Sequence, residues 1–341
     1  MARTVAILRA LARAFQRGEK SFASLAGNNF FLVAVLFLGK AGTFLFLIMG
    51  LVLLVPLSTD PLRKIPKSRL GLWPLEKREH WVLRAASPWL NPMTWAIAAL
   101  ALWAAHGVVT AGLWALAAGL FAAGFLLSDL PLPSGSAMWR RVPHFPGALD
   151  QLIRKNLREM LSTLDFYCAL LLSLSATIYR AAGQALPAEA FMAMTVLVVV
   201  ALSSFAQCLF GLDGAGGLAR YRLLPLRGWQ ILAAKDAAFL LIAMLLVAPL
   251  APLAGLGSAL VALAMGRRPS VEDPRPQARW RFSAGTSPVY GVVEVMAMAS
   301  AASAIFFTSA LVLAPCVAAW LGSLWWYGRR MEQVQGGRFR G

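Results

Sequence analysis

Hydrophobic residues are concentrated in six long runs, and the segments between those runs carry most of the charge. The runs cover residues 30–57, 90–127, 164–182, 190–210, 237–266 and 288–327. A helix needs about 20 residues to cross the hydrocarbon core of a bilayer. Several runs are too long for one crossing, so the pattern predicts an all-α polytopic membrane protein with about ten membrane helices or half-helices in hairpins.

Turn-forming residues divide most of the longer runs. The expected breaks are His106-Gly107 in 90–127, Pro249 and Pro252 in 237–266, and residues 310–314 in 288–327. Run 30–57 either forms one long tilted helix or turns at Gly39–Gly42. The hairpins at 30–57 and 237–266 need not cross the whole bilayer, because broken backbone at membrane depth is tolerated where protein or water surrounds it.

Two amphipathic segments precede membrane runs. Leucine and phenylalanine recur at helical spacing in 3–25, and leucine and methionine do so in 149–164. In both segments the basic residues lie away from the centre of the apolar stripe. Both segments are typical of interfacial helices that lie in the headgroup region. They either dock the chain to the membrane or relay motion from a cytoplasmic partner.

Basic residues indicate the topology. Run 30–57 has five basic residues before it and seven after it, and the positive-inside rule places both flanks in the cytoplasm. If every break is a hairpin, only Lys40 and Arg180 face outward. The expected location is the bacterial inner membrane, with several crossings and both termini cytoplasmic.

Composition excludes several classes of protein. Hydrophobic residues make up 59% of the 341 and charged residues only 14%, which excludes a soluble enzyme and a disordered chain. The 32 basic residues against 15 acidic ones would suggest nucleic acid in a soluble protein. In a membrane protein they favour contact with anionic lipid, and no nucleic-acid partner is expected.

Catalytic and metal-binding motifs are missing from the sequence. Cys168, Cys208 and Cys316 are far apart, and no HExxH, GxSxG or GxxxxGK[ST] pattern occurs. We therefore expect no catalytic residue, no metal and no cofactor in this chain. Any ATP would be bound by another chain.

A short motif occurs twice in the basic loops. Leu72-Trp73-Pro74-Leu75 and Leu223-Leu224-Pro225-Leu226 each follow an amphipathic helix and a membrane run. The repeated order predicts two similar halves, 1–147 and 148–266, related by an internal two-fold repeat. Residues 267–341 then form a basic cytoplasmic loop, a final hairpin and a tail. The proline-centred apolar knobs either couple to a soluble partner or anchor the loops to headgroups.

The second copy of the motif lies in a longer segment with a family resemblance. Phe210-Gly211-Leu212-Asp213 through Leu223-Leu224-Pro225-Leu226, followed by Ile231-Leu232-Ala233-Ala234-Lys235, resembles permease (transmembrane) subunits of the ABC-2 exporter type. The resemblance implies a permease that works with a separate ATPase subunit and with a second permease, identical or different. It places Asp213, Gly214, Arg222, Pro225 and Leu226 at the ATPase contact. By the internal repeat, Arg69, Pro74 and Leu75 are the equivalents in the first half.

Ionisable residues within the membrane runs are few. Lys40, Asp165 and Glu294 are the candidates, and Lys40 at an outer turn is expected to snorkel to headgroups. Asp165 and Glu294 are candidates for the substrate path, because buried charges in membranes are costly and usually functional. The alternative function is a non-catalytic scaffold or accessory subunit of a larger membrane complex, and a lipid-modifying enzyme comes third.

Overall fold

The computed structural model describes residue 147 and the chain from 149 to 337 with short gaps, together with residues 75–90, residues 6–10 and single positions elsewhere in the first third. The gaps after 149 fall at 182–186, 214–219, 222–224 and at 276, 278, 280, 281 and 284. The chain divides into two compact units, residues 1–23 with 37–132 and residues 24–36 with 133–341.

The first unit contains helix α1, Lys77–Ala86, which continues into a 3₁₀-helix at Ser87–Leu90. The Glu79 side chain accepts a hydrogen bond from the backbone N–H of Glu76 and so caps the start of α1. Leu83 is buried and Trp81 is exposed. Residues 6–10, inside the predicted amphipathic helix 3–25, are helical. The predicted hairpins 30–57 and 90–127 lie almost wholly outside the described residues.

The described residues of the second unit form seven long helices. They are α2 Asp150–Met160, α3 Leu164–Ala181, α4 Ala188–Ala206, α5 Gly228–Val247, α6 Pro252–Glu272, α7 Pro288–Phe307 and α8 Leu313–Gly337. Short 3₁₀-helices lie at Gly211–Asp213 and Ala310–Val312. All regular structure in the described part of the chain is helical, which confirms the predicted all-α class.

Helix boundaries follow local sequence signals. Pro252 and Pro288 occupy first-turn positions, where the missing proline N–H costs nothing. The Ser287 hydroxyl accepts from the backbone N–H of Tyr290 at 3.2 Å, a serine N-cap. The breaks predicted at Pro249/Pro252 and near 310–314 are both confirmed by the helix ends.

Helix α6 is the centre of the second unit and packs against α4, α5, α7 and α8. Its glycines allow close approach: a Cβ atom at Gly266 would lie 2.7 Å from the carbonyl carbon of Ala206 on α4. A Cβ atom at Gly255 would lie 2.6 Å from a Val247 methyl group at the end of α5. Small residues of this kind let membrane helices pack backbone to backbone.

Four described helices are long and apolar enough to cross a membrane: α4, α5, α7 and the segment Ala310–Gln333 that includes α8. Helices α2 and α3 meet at a bend of 77° and would add a fifth crossing if they count as one broken span. The larger prediction of about ten is not confirmed. Helix α6 is less apolar because it contains several glycines and carries Arg267-Arg268-Pro269 in its last two turns.

Burial separates inner from outer helices. The most apolar stretches of α4 and α5 are each 61% buried inside the protein, whereas those of α7 and of Ala310–Gln333 are 28% and 6% buried. Leu311, Trp325 and Trp326 are among the exposed large side chains of this outer face. Exposed apolar helix surface of this extent suits contact with lipid.

Contacts between helix ends show that consecutive helices from α3 to α8 run in opposite directions. The end of α6 packs on the end of α4 (Gly266 on Ala206), the start of α3 binds the loop before α7, and the start of α5 packs on α8 (Gly228 on Gly328). The starts of α3, α5 and α7 therefore lie at the same end of the bundle as the ends of α4, α6 and α8; we call this the charged end. At the opposite end, Arg180 of α3 donates to the Pro249 carbonyl oxygen in the α5–α6 turn at 2.7 Å.

Candidate functional site at the charged end of the bundle

Buried polar side chains collect at the charged end in three clusters. The first, which we call the lysine cluster, consists of Lys155 and Glu159 on α2, Asp213 after α4, Tyr221, and Lys235 on α5. Charged groups inside a membrane protein are costly unless they are paired. Their concentration at one end therefore marks the part of the bundle where structure and function are most closely linked.

Lys235 is the centre of the lysine cluster. Its side chain is 2% exposed, and its ammonium group donates to the Leu209 carbonyl oxygen at 2.6 Å. It also donates to Asp213 Oδ2 and to Asn156 Oδ1, each at 3.0 Å. All three ammonium hydrogens thus have acceptors, which compensates for the loss of water around this cation. The Nζ atom also lies 4.8 Å from the centre of the Phe210 ring.

Asp213 forms ion pairs with two cations, Lys155 and Lys235. Lys155 forms an ion pair with Asp213 Oδ1, and the Tyr221 hydroxyl donates to the same oxygen at 3.0 Å. Burial alone would raise the pKa of Asp213, but the charges of Lys235 and Lys155 outweigh it and hold the pKa below its ordinary value. Burial raises the pKa of Tyr221, and the negative charge of Asp213 adds to the effect. Asp213 is therefore a carboxylate and Tyr221 a neutral phenol at neutral pH.

The lysine cluster connects three parts of the unit that are distant in sequence. Lys155 approaches Glu159 on its own helix at 3.4 Å, so α2 presents both charges toward the cluster. Through Asp213 and Lys235, the amphipathic helix is tied to the 3₁₀-helix Gly211–Asp213 and to the first turns of α5. A displacement of any of these three elements has to strain or break ion pairs.

The second cluster joins α5, α6 and α8. Arg267 and Asp236 form an ion pair, and both side chains are almost completely buried. Trp320 Nε1 donates to Asp236 Oδ2 at 2.9 Å, and Arg267 Nε donates to Ser323 Oγ at 2.9 Å. These bonds hold three helices in one register at the charged end.

The third cluster surrounds Glu294 on α7. Glu294 Oε2 accepts from Asn29 Nδ2 at 2.7 Å and from the Gln207 amide. Asn29 also donates to Ser203 Oγ at 2.8 Å, and the Gln207 carbonyl oxygen accepts from the backbone N–H of Thr286 at 2.9 Å. The carboxyl is therefore enclosed by neutral groups from α4, from residue 29 and from the loop before α7.

The two predicted substrate-path residues are both buried at the charged end. Asp165, in the first turn of α3, accepts from the backbone N–H of Ser283 at 2.8 Å and from its hydroxyl at 2.7 Å. This carboxylate fixes the loop before α7 onto the start of α3. Glu294 lies apart from it, in the third cluster.

The predicted ATPase-contact residues differ in how exposed they are. Asp213 is turned into the protein and belongs to the lysine cluster, whereas Pro225 is exposed and Leu226 half-buried. Leu75, in the first unit, is half-buried just before α1. The remaining residues lie outside the described part of the chain; they are Gly214, Arg222, Arg69 and Pro74.

Several buried charges were not predicted from the sequence. Lys235, Asp236 and Arg267 lie just beyond the limits of the apolar run 237–266, but the helices extend past those limits and bury them. Arg154 and Lys155 were expected away from the apolar face of 149–164, yet Arg154 is buried and Lys155 pairs with Asp213. The available signal was Lys235-Asp236 itself, an adjacent opposite-charge pair within an otherwise apolar helical pattern.

In its described residues the protein is all-helical, and four to five of the helices are suited to crossing a membrane. Buried ion pairs lie at one end of this bundle. No protein-family model, no curated protein and no solved structure matches the chain. Among the residues that the structure describes, no group of three or more histidine, cysteine, aspartate and glutamate side chains could hold a metal ion.

Proposed function

We propose that this chain is the transmembrane permease subunit of an ABC-type exporter, in which a separate ATPase subunit supplies the energy. The observation that carries the proposal is the turn Pro225–Leu226. It lies at the charged end directly before α5, whose first turns are fixed by the ion pair of Lys235 with Asp213. A coupling element needs this combination of an accessible tip and a rigid base.

The tip offers mixed apolar and basic surface. Pro225, Arg227 and Trp229 are exposed and Leu226 is half-buried. Interfaces are often anchored by aromatic and arginine side chains of this kind. A groove on a soluble partner could therefore receive the turn.

Motion of the turn would reach the membrane helices directly. Helix α5 begins at Gly228, whose backbone N–H donates to Glu332 Oε1 on α8 at 2.9 Å. Gly228 and Gly328 also pack backbone to backbone, with no room for a Cβ atom at either position. Helices α5 and α8 would therefore move together when the turn is pushed.

Surface charge supports a cytoplasmic position for the charged end. Exposed basic residues at this end include Arg220, Arg227, Arg268, Arg279 and Arg330. Arg180 is the one basic residue that the described helices place at the opposite end. The positive-inside rule then puts the charged end in the cytoplasm of a bacterial inner-membrane protein, and the basic surface suits an acidic ATPase face.

The test is recovery of the partner. The tagged chain is extracted from its host in mild detergent, and co-purifying proteins are identified by mass spectrometry and assayed for ATP hydrolysis. We expect a P-loop ATPase at near-stoichiometric level. P225D combined with L226D should lower its recovery at least about tenfold, equivalent to ~1.4 kcal/mol of binding. T308D, which places a new acidic side chain at an exposed position at the opposite end of the bundle, is the matched control. Failure to recover any ATPase would overturn the proposal.

A second candidate is a non-catalytic scaffold or accessory subunit of a larger membrane complex. The outer face of α8 favours it, because only 6% of its apolar stretch is buried within the chain, which leaves a broad surface for another membrane protein. The same purification separates the two candidates. Membrane subunits without an ATPase would support the scaffold, and a second permease together with an ATPase would support the exporter.

A further inference from the structure

Glu294 is a buried carboxyl without a cationic partner among the described residues. It lies in the second turn of α7, and its side chain has no solvent exposure. The groups that contact Oε2 are the amides of Asn29 and Gln207, both neutral. In the other two clusters, by contrast, the buried carboxylates of Asp213 and Asp236 are paired with a lysine and an arginine.

Two acceptor atoms in this cluster lack a hydrogen-bond donor among the described residues. Glu294 Oε1 and Asn29 Oδ1 are both buried, and neither has a hydrogen-bond donor in the described part of the chain. Asn29 uses its two amide hydrogens on Ser203 Oγ and on Glu294 Oε2. Buried acceptors normally have a hydrogen-bond donor. This cluster therefore has more acceptor oxygens than donor hydrogens, and one added proton would reduce the difference.

Neighbouring titratable groups do not supply a positive charge. Tyr290, one turn earlier on α7, donates its hydroxyl hydrogen to the Met265 carbonyl oxygen. Burial raises the pKa of Cys208, just after α4, to about 12, so this thiol is neutral. Arg268 on α6 is exposed and pairs with Glu272, and Arg267 is engaged by Asp236. The surroundings of Glu294 therefore favour its uncharged form.

We propose that Glu294 is a proton-binding site. The carboxyl holds a proton on Oε1, one of the two buried acceptors without a donor among the described residues, and it releases that proton to water only at high pH. The ionised form in the packed bundle would be an uncompensated buried charge, so the packing of α4 and α7 around Glu294 favours the protonated form. This inference does not depend on the exporter proposal.

Infrared spectroscopy of the full chain in lipid nanodiscs tests the site through its own ligand, the proton. At neutral pH we expect the carbonyl stretching band of a protonated carboxylic acid in an apolar setting. E294Q should lose that band and should fold normally, because an amide replaces a neutral acid with little change in shape. E189Q, which changes an exposed glutamate in the first turn of α4, should retain it.

A second variant distinguishes proton binding from a purely structural role. Q207A removes one of the two donors to Oε2 and so destabilises the ionised form. A hydrogen bond to a charged group is worth roughly 1.5–3 kcal/mol, so the band should persist to a pH about one to two units higher than in the wild type. The proposal is overturned if E294Q keeps the full band, or if Q207A leaves the pH at which the band disappears unchanged.

Discussion

Arg267 and Asp236 form an ion pair in which both side chains are almost completely buried. The aspartate comes from the first half of α5 and the arginine from the last two turns of α6. Trp320 and Ser323 of α8 each form a hydrogen bond with one member of the pair. These polar contacts together fix the relative positions of three helices of the second unit.

Removing one partner of this pair should strongly destabilise the bundle. D236A leaves Arg267 as a buried charge without its carboxylate, and breaking a buried ion pair in this way typically costs about 3–5 kcal/mol. The measurement is thermal unfolding of the purified chain in detergent, followed by tryptophan fluorescence. R268A, which removes the exposed pair with Glu272, should cost at most about 1 kcal/mol. Equal effects of the two variants would contradict the role assigned to Asp236.

Asp213 should make the stability of the protein pH-dependent in a defined direction. Its pKa in the folded protein lies below the ordinary value of about 3.9, because Lys235 and Lys155 outweigh the effect of burial. The ionised carboxylate therefore stabilises the folded state above that pH, and this contribution is lost as the pH falls through the folded pKa. D213N lacks the contribution at every pH.

The expected result is a difference between wild type and D213N that is full at neutral pH and shrinks below pH ~4. Thermal unfolding of both proteins across this range provides the measurement. A difference that stays constant with pH would show that Asp213 acts through packing alone.

Gly328 should not tolerate a side chain. A Cβ atom there would lie 2.8 Å from the backbone N and Cα of Trp229 on α5, so G328A forces the α5–α8 contact apart. Overpacking of this kind typically costs about 1–3 kcal/mol. Gly322, nearly two turns earlier on α8, would have no atom within 4 Å of an added Cβ, which makes G322A the matched control. G322A should be neutral or slightly stabilising, since alanine favours helix. Comparable loss of thermal stability in both variants would contradict the assigned contact.

Cysteine labelling can determine the orientation of the bundle. Thr308 is exposed between α7 and α8 at the end opposite the charged end, and Arg279 is exposed in the loop after α6. The native Cys168, Cys208 and Cys316 are buried, which should keep background labelling low. A membrane-impermeant maleimide should label T308C in intact cells and R279C only in inverted vesicles. The reverse pattern would place the charged end outside the cell.

Sequence reasoning was most successful where the signal is local. Proline within an apolar run acts on its own backbone, and this placed the break at Pro249 and Pro252. Run 288–327 is long enough for two helices, and this placed the break near 310–314. The all-helical class followed from run length in the same way. None of these inferences needed knowledge of which helices are neighbours.

The buried charges could not be found by the same route, because each depends on a partner distant in sequence. Lys235 meets Asn156 on another helix, and Asp236 meets Arg267 on a third. Ending the apolar run at 237 and 266 left Lys235, Asp236 and Arg267 outside the predicted membrane run, since an unpaired charge is not expected inside a membrane helix. Pairing removes that objection, and only the tertiary structure shows the pairs.

The 77° bend between α2 and α3 has a mechanical consequence. Because the two axes are nearly perpendicular, a load applied along α2 produces a torque about residues 161–163 instead of compressing α3. Lys155 lies about halfway along α2 and is paired with Asp213, so a rotation of α2 about the bend would be transmitted to the 3₁₀-helix Gly211–Asp213.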